Sequence, residues 1–419
     1  MKKSARILVI FILLGILVCG ILAYLTYNIV GSVSRHITIA MPVSGFGDIV
    51  EVQHLEYINQ CIKTFQEGRG VTITVKLIDK GDYSEWLSEQ LINGTAPDLM
   101  VIQPEYFQVF YEAGVLSKID DEDFGSGISE NILKPWTRNN QLYAVPFETN
   151  PPCLIVNRSL IKRNDVNLNV GFFDWMDLYY VCSTYTGDTD KDGISDYFGL
   201  SGVTWRDLVY ANGQTLFDSD KPDAFFDTRD VRFAISYALA MYRINLDNPA
   251  NSFEQDDAVM KATHLANARY LQRYMDDEDT VIISFPHGPD GKFQAEPYDL
   301  PVAVNSSSRN QELALDFLKY IALDADNQMK LFKISYGFPV LRQVQESDIV
   351  RNSIGVLSEA HYKNILSIQV TDTGFKGYYS IMDTADKEIY SLVKRDTNIE
   401  ESLEMINDRM LAALIQYLD

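Results

Sequence analysis

Histidine and cysteine, which supply most transition-metal ligands and many catalytic nucleophiles, are scarce in this chain of 419 residues. The five histidines do not form the H-E-x-x-H spacing of zinc peptidases, and neither a G-x-S-x-G nucleophile elbow nor a P-loop occurs. The 58 aspartates and glutamates could include the carboxylate pair of a glycosidase, but no spacing singles one out. The sequence therefore gives little support to an enzyme.

Positive charge is also in short supply. The chain has 36 lysines and arginines, a formal net charge of −22 and a pI near 4.6. Nucleic acids and anionic lipid surfaces would be repelled by such a protein, so neither is expected as its main partner. The length is too great for one compact core and predicts two lobes, and the 46% hydrophobic residues indicate well-packed ones.

Charge is absent altogether between Arg6 and Arg35. The apolar run over residues 7–30 is long enough to cross a bilayer, and the basic residues before it place the N-terminus inside and the bulk of the chain outside. We expect an uncleaved transmembrane signal anchor, since a cleaved signal peptide has a shorter apolar core. Lipidation at Cys19 is the alternative, but the residue before it is Val18, where a lipoprotein signal has a small residue. Both alternatives tether the protein outside the membrane.

Three further cysteines follow, namely Cys61, Cys153 and Cys182. Their spacings match no metal motif. Cys153 and Cys182 could pair in an oxidising compartment, and the other interpretation is that all three are buried free thiols.

Strands and helices alternate after the apolar run. The apolar periodicity predicts strands at 36–42, 71–78 and 98–102, with helices at 50–67 and 83–92 between them. This alternation is typical of βαβ units with a mostly parallel sheet, so the fold class is α/β. At the other end of the chain, an apolar stripe predicts an amphipathic helix over 399–418.

Several phrases of the sequence occur in a recognisable order. Gly94-Thr95-Ala96-Pro97-Asp98 opens an apolar strand, and the helix after it ends at Gly114. Four further segments follow: the strands at 141–147, 154–160 and 281–286, and a helix at 310–318 with the pattern N-x-E-x-A-x-x-F-L. Together they resemble the family 1 extracellular solute-binding proteins, the receptors that feed ABC importers. The resemblance covers about residues 37–419.

This resemblance implies a clamshell of two discontinuous α/β lobes, like that of periplasmic binding proteins, because the chain leaves one lobe, builds the other and returns. The implied parts are the anchor or signal peptide with its spacer (1–34), lobe 1 first part (35–147), lobe 2 first part (148–284), lobe 1 return (285–335) and the lobe 2 C-terminal helical part (336–419).

The same resemblance implies a monomeric, non-enzymatic receptor that delivers a carbohydrate, with an oligosaccharide favoured, to the permease subunits of an ABC transporter. Two alternatives stay open: a ligand sensor for a membrane kinase without transport, and a surface glycoside hydrolase. Ligand contacts are expected where relatives have them and where aromatic rings could stack on sugars, at Ser44, Phe46, Gln103, Glu105, Glu148, Trp205 and Phe338.

A local acidic motif stands apart from these phrases. Its carboxylates alternate with other residues around a glycine, as in loops that bind Ca²⁺, so the predicted ligands are Asp188, Asp190, Asp192, Asp196 and the carbonyl of Ile194. The motif departs from an EF-hand loop at Gly199, where that loop has a bidentate glutamate. A structural Ca²⁺ site is the prediction, and a solvated acidic turn is the alternative.

Overall fold

The computed structural model of the protein describes residues 35–418 except for 45–48, 121, 162–167, 169–172, 219–220, 246–247, 249–251, 276–279, 290–293, 297, 372–374 and 396. The predicted anchor and the predicted ligand residue Phe46 lie outside this described part. Within it, no helix has both the length and the apolar character that a bilayer span requires. The anchor over residues 7–30 therefore stays a prediction.

Short strands and helices alternate along the described chain. The strands are β1 (His36–Val43), β2 (Thr72–Asp79), β3 (Leu99–Val101), β4 (Thr137–Arg138), β5 (Gln141–Leu142), β6 (Val145–Pro146), β7 (Glu148–Thr149), β8 (Pro152–Asn157), β9 (Phe198–Ser201), β10 (Phe217–Asp218), β11 (Asp223–Ala224), β12 (Ala258–His264), β13 (Thr280–Ser284), β14 (Gln294–Ala295), β15 (Pro301–Val304), β16 (Phe338–Pro339) and β17 (Gln369–Val370).

The α-helices are α1 (Ile49–Gln66), α2 (Tyr83–Ile92), α3 (Pro104–Glu112), α4 (Glu122–Gly127), α5 (Glu130–Leu133), α6 (Trp175–Thr184), α7 (Trp205–Ala211), α8 (Arg229–Ile244), α9 (Leu265–Met275), α10 (Gln311–Ala322), α11 (Ala325–Ile334), α12 (Arg342–Gln345), α13 (Asp348–Ser353), α14 (Glu359–Leu366), α15 (Tyr378–Ser391) and α16 (Ile399–Leu418).

The first lobe is built on a five-stranded sheet with the order β2-β1-β3-β15-β6. β1 pairs in parallel with β2, from His36 opposite Thr72 to Val43 opposite Asp79, and in parallel with β3. β15 is antiparallel to both β3 and β6, so β6 runs in the same direction as β3. The carboxyl ends of β1, β2, β3 and β6 therefore lie at one edge of the sheet.

The second lobe is built on a four-stranded sheet with the order β13-β8-β12-β9. β12 is parallel to β9 and antiparallel to β8, and β13 is also antiparallel to β8. The carboxyl ends of β9, β12 and β13 thus lie at the same edge as the amino end of β8.

Apolar side chains cover both faces of each sheet. In β3, Leu99 and Val101 pack into one core of the first lobe while Met100 packs into the other. In β8, Leu154 packs into the core that includes α15 and α16, while Ile155 packs into the core on the opposite face. Because both faces are buried, these strands are continuous apolar runs rather than alternating ones.

The predicted fold class is confirmed. The helix predicted at 399–418 is α16, which buries Leu403, Ile406, Met410 and Leu414 along its apolar stripe. Every strand of the five-stranded sheet lies within 35–147 or 285–335, and every strand of the four-stranded sheet lies within 148–284. The boundaries of the lobes stay a prediction.

The suggested pairing of Cys153 with Cys182 is wrong. Cys61, Cys153 and Cys182 are buried free thiols. Cys153 packs into the core on one face of the second sheet and Cys182 into the core on the other face, so the sheet itself separates them. Burial raises the pKa of the Cys182 thiol to about 12 and that of Cys61 to about 11, which keeps both protonated and unreactive at neutral pH.

Candidate functional site

A polar cavity of about 440 Å³ lies at the carboxyl edge of the second sheet. The lining residues follow β9, end β12, or lie just before and at the start of β8. Residues between β13 and β15 complete the lining. The full set is Asn150, Pro152, Gly202, Thr204, Arg206, Asp207, Ala262, Thr263, His264, Phe285, Ala295, Glu296 and Tyr298. Ligands of open α/β sheets bind outside the carboxyl ends of the strands, so this cavity has the expected position of a ligand site.

A smaller cavity of about 60 Å³ lies at the corresponding edge of the first sheet. Glu148 and Leu300 line it, whereas Asn150 and Tyr298 line the cavity of the second lobe. Glu148 and Asn150 are separated by one residue, as are Tyr298 and Leu300, so two of the chain segments that cross between the lobes carry residues of both walls. The two cavities are therefore the two sides of one cleft, with the crossing segments at its base.

A buried aspartate joins these crossing segments. Asp299 is 4% exposed, and its carboxylate accepts hydrogen bonds from the backbone N–H of Asn150 (2.9 Å) and the hydroxyl of Thr149 (3.2 Å). On the side of the first lobe, His54 Nε2 of α1 lies 2.8 Å from Glu148 Oε2. The contacts of Asp299 thus join the two segments to each other, and the contact of His54 joins one of them to α1.

Arg206 is the main cation of the second-lobe wall. Its Nη1 lies 3.1 Å from Glu296 Oε2, and its Nη2 lies 3.4 Å from Asp386 Oδ2. Burial alone would lower the pKa of Arg206, but Glu296 and then Asp386 outweigh it and hold that pKa above its ordinary value. Burial raises the pKa of Glu296 in turn, against the attraction of Arg206. The positive charge of the wall is thus compensated within the protein.

His264 ends β12 and reaches the cleft, with its ring centroid 6.3 Å from that of Tyr298. Its side chain keeps contact with solvent, although the surrounding walls lower the pKa of His264 below its usual value. A neutral imidazole offers both a donor and an acceptor, which suits a hydroxyl group.

The predicted residues on the first-lobe side of the cleft reach it only in part. Glu148 lines the smaller cavity. Gln103 is 7% exposed and accepts a hydrogen bond from Ser84 Oγ, so its side chain supports the wall from inside. Ser44 follows β1 and Glu105 begins α3, and both are exposed. The structure brings neither of these two into the described cavities.

Trp205 and Phe338 do not have the predicted role. Both are 0% exposed, so neither ring offers a face to a ligand. Trp205 packs against Phe226 in the core of the second lobe, and its Nε1 donates a 2.8 Å hydrogen bond to Asp386 Oδ1. Because Asp386 pairs with Arg206, the indole supports the cleft wall from behind.

Arg206, His264, Glu296 and Tyr298 were not predicted as site residues. Arg206 had a usable local signal, since it stands in the first turn of α7 beside the capping box formed by Thr204 and Asp207. Glu296 had none, because it meets Arg206 across 90 residues of sequence.

The acidic loop lies away from this cleft. Carboxylate oxygens of Asp188, Asp190 and Asp196 lie within 4.8 Å of one another, and all three residues are exposed. Asp192 does not join this group among the described residues, and its Oδ1 accepts a hydrogen bond from the N–H of Ile194 (2.8 Å). Two hydrogen bonds from Thr189 lower the pKa of Asp196, so this carboxylate is ionised at neutral pH.

Comparison with known proteins gives the context of the cleft. Residues 60–356 match the family described as "Bacterial extracellular solute-binding protein". No curated protein sequence matches the chain.

Solved structures of similar fold include an ABC transporter solute-binding protein of Thermotoga lettingae bound with α-D-tagatose. Its sequence is 18% identical, the alignment covers 91% of this chain and 100% of that chain, and the TM-score is 0.72. The sugar-binding protein MalE of Xanthomonas citri is 13% identical, with 91% and 98% covered and a TM-score of 0.75. MalE of Listeria monocytogenes in complex with maltose is 17% identical, with 92% and 99% covered and a TM-score of 0.71.

At these identities the solved structures show a shared fold. The family match is a separate observation, and it spans more than half of the chain, including strands of both sheets and the crossing segments between them. The chain belongs to the bacterial extracellular solute-binding proteins.

Proposed function

We propose that this protein captures a carbohydrate in the cleft between its lobes and delivers it to the permease of an ABC transporter. The observation that carries the proposal is the polar cavity of about 440 Å³ in which Arg206 is neutralised by Glu296 and Asp386. Because Arg206 already faces two carboxylates, the wall offers no free positive charge to an anion, whereas its hydrogen-bonding groups suit the hydroxyls of a sugar. Sugar complexes of proteins with this fold support the same choice.

Closure of the lobes would explain how binding is signalled to the permease. The short segments that cross between the two lobes are the parts of a hinge, and a ligand that contacts both walls stabilises the closed form. No bond is made or broken in this scheme. We propose a monomer as the working unit.

A titration tests this proposal directly. Intrinsic fluorescence should change on addition of members of a panel of D-tagatose, maltose, maltotetraose and a cyclic α-glucan, and chromatography should recover the bound sugar unaltered. A panel without any binding would contradict the carbohydrate assignment, and hydrolysed sugar would contradict a receptor.

His264→Ala should weaken sugar binding roughly tenfold, since the loss of one or two hydrogen bonds is worth about 1.4 kcal/mol. The side chain is exposed in the cleft, so the melting temperature should not change. Tyr274→Ala is the matched control, because Tyr274 is 65% exposed at the far end of α9, outside the cleft. Equal affinities of His264→Ala and wild type in calorimetric titrations would remove His264 from the site.

We also propose a structural Ca²⁺ held by Asp188, Asp190 and Asp196. What supports it is the convergence of three carboxylates, since Ca²⁺ prefers oxygen ligands. If it binds, a hundredfold excess over Kd should raise the free energy of unfolding by about 2.7 kcal/mol. Asp190→Asn should abolish this gain, because it removes charge while the amide oxygen can still accept from the N–H of Asp192. Glu404→Gln, on the exposed face of α16, should leave the gain intact. If millimolar Ca²⁺ leaves the wild-type melting temperature unchanged, the loop is a solvated acidic turn and not a Ca²⁺ site.

The family is extracellular, and we propose that the uncharged run over residues 7–30 is the uncleaved anchor that holds this member at the membrane. The full-length protein should then sediment with membranes and take up no radioactive lipid precursor. Labelling that disappears in Cys19→Ala would show a lipoprotein instead.

A further inference from the structure

A second, larger cavity of about 910 Å³ opens on the second lobe, outside the cleft. Its walls come from the end of α7, the first turns of α8 and the beginning of α16. The volume falls within the range of small-molecule sites. Both cavities have walls from the second lobe, but they share no lining residue.

An aromatic ring is held rigidly in the wall of this second cavity. Phe233 is 49% exposed, and its ring stacks on buried Trp175 at 6.0 Å with an interplanar angle of 15°. The ring centroid of Tyr237 lies 6.2 Å from that of Phe233. Trp175 covers one face of the Phe233 ring, so the other face is the exposed one. The C–H face of a sugar can stack on such an apolar surface.

Two polar side chains of the wall have unused hydrogen-bonding capacity. Asn212 is 3% exposed, and its Oδ1 has no hydrogen-bond partner among the described residues. Arg229, in the first turn of α8, has no hydrogen bond or ion pair within the same part of the chain. A buried carbonyl without a donor is rare in proteins and indicates a missing partner. Here the missing partner is a donor for Asn212, while Arg229 is exposed and can offer its guanidinium to an acceptor in the cavity.

The charges around the cavity balance. Arg229 and Arg232 face Asp230 and Glu400, and Arg232 is ion-paired with Glu400. A neutral ligand that offers hydroxyl donors and acceptors together with an apolar face fits this combination. We propose that the cavity is a second carbohydrate-binding site, which takes an uncharged sugar unit independently of the cleft.

The position of this site suggests what it does. α7 has seven residues and is about 10 Å long, with Arg206 of the cleft in its first turn and Asn212 just after its end. The site's walls from α7, α8 and α16 all belong to the second lobe, so its occupation needs no closure of the clamshell. Such a site holds a long glycan at the cell surface beside the cleft that captures its smaller fragments.

Affinity electrophoresis of the purified full-length protein tests this inference. Native gels would contain soluble starch, dextran, inulin or xylan, and retardation by at least one of them is expected. The apparent dissociation constant should rise at least tenfold in Phe233→Ala and in Arg229→Gln. His264→Ala, which alters the cleft, should be retarded like wild type. Met176→Ala is the control for loss of an exposed apolar side chain, since Met176 is 78% exposed on α6 and does not line the cavity.

The outcomes separate the two sites. Retardation that survives in Phe233→Ala and Arg229→Gln but disappears in His264→Ala would assign all binding to the cleft and overturn the second site. Absence of retardation in all four gels would overturn it as well. Retardation could depend on Phe233 while no small sugar changes the intrinsic fluorescence. That result would support the second site and contradict the proposed function of the cleft. Melting temperatures identify any variant that fails to fold.

Discussion

Trp205→Ala should lower the free energy of unfolding by about 3–5 kcal/mol, the usual range for removal of a buried tryptophan. The indole is 0% exposed and packs against Phe226 in the core of the second lobe. The substitution leaves a large cavity there and also removes the hydrogen bond from Trp205 Nε1 to Asp386. Denaturant unfolding monitored by circular dichroism measures the loss.

Two further variants make this result interpretable. Trp86→Ala removes a partly exposed tryptophan of the first lobe and should cost clearly less than Trp205→Ala. Trp205→Phe keeps most of the apolar volume but removes the indole donor to Asp386 Oδ1, so it should disturb the pairing of Asp386 with Arg206 and weaken sugar binding more than it weakens the fold. If Trp205→Ala kept full stability and lost only affinity, the ring would be a ligand contact and its placement in the core would be wrong.

The contrast between Trp205 and α16 shows what a sequence of this kind reveals. The helix at 399–418 was predicted within its observed bounds, because its apolar stripe repeats over five turns and depends on nothing outside the helix. For Trp205, the local sequence shows only an aromatic residue after a turn. Whether its ring faces the core or the cleft depends on Phe226 and Asp386, which lie 21 and 181 residues further along the chain.

The cleft follows the same rule. Of the strands at its edges, β1, β2 and β3 were predicted from local apolar runs, and β6, β8 and β13 from the family phrases. β9 and β12 were not predicted. The positions of Gln103 and Glu148 near those edges also came from the family phrases. The second-lobe wall was not predicted, because Arg206 acquires its character from Glu296 and Asp386. Neither partner has a local pattern that distinguishes it from the many other acidic residues of the chain. A compensated arginine is a property of the folded structure.

Asp299 gives the second large effect, which is a dependence of stability on pH. Burial, opposed by the hydrogen bonds from Asn150 and Thr149 and assisted by the nearby charge of Glu148, raises the pKa of Asp299 to about 8. In the unfolded chain an aspartate has a pKa of about 3.9. Between these two values the folded protein binds a proton that the unfolded chain does not, so stability falls as pH rises.

The wild-type free energy of unfolding should therefore decrease by about 1 kcal/mol between pH 7 and pH 8. This window lies above the ordinary pKa of histidine, about 6.5. Burial lowers the pKa of His361 below that value, so its titration does not contribute here. Asp299→Asn should remove the decrease, because the amide oxygen can accept from the N–H of Asn150 and the amide nitrogen can donate to Thr149 Oγ1.

Asp326→Asn is the matched control, since Asp326 is exposed on α11 and its replacement should leave the wild-type dependence of stability on pH unchanged.

The titration of Asp299 at the base of the cleft also predicts a functional consequence. A protonated Asp299 needs no counter-charge when the crossing segments rearrange, whereas an ionised one resists any motion that breaks its bonds to Asn150 and Thr149. Sugar affinity should then vary with pH between 7 and 8 in wild type and stay constant in Asp299→Asn. Parallel stability curves for the two proteins would mean that Asp299 is already ionised at pH 7, and would leave the crossing segments without a titrating group.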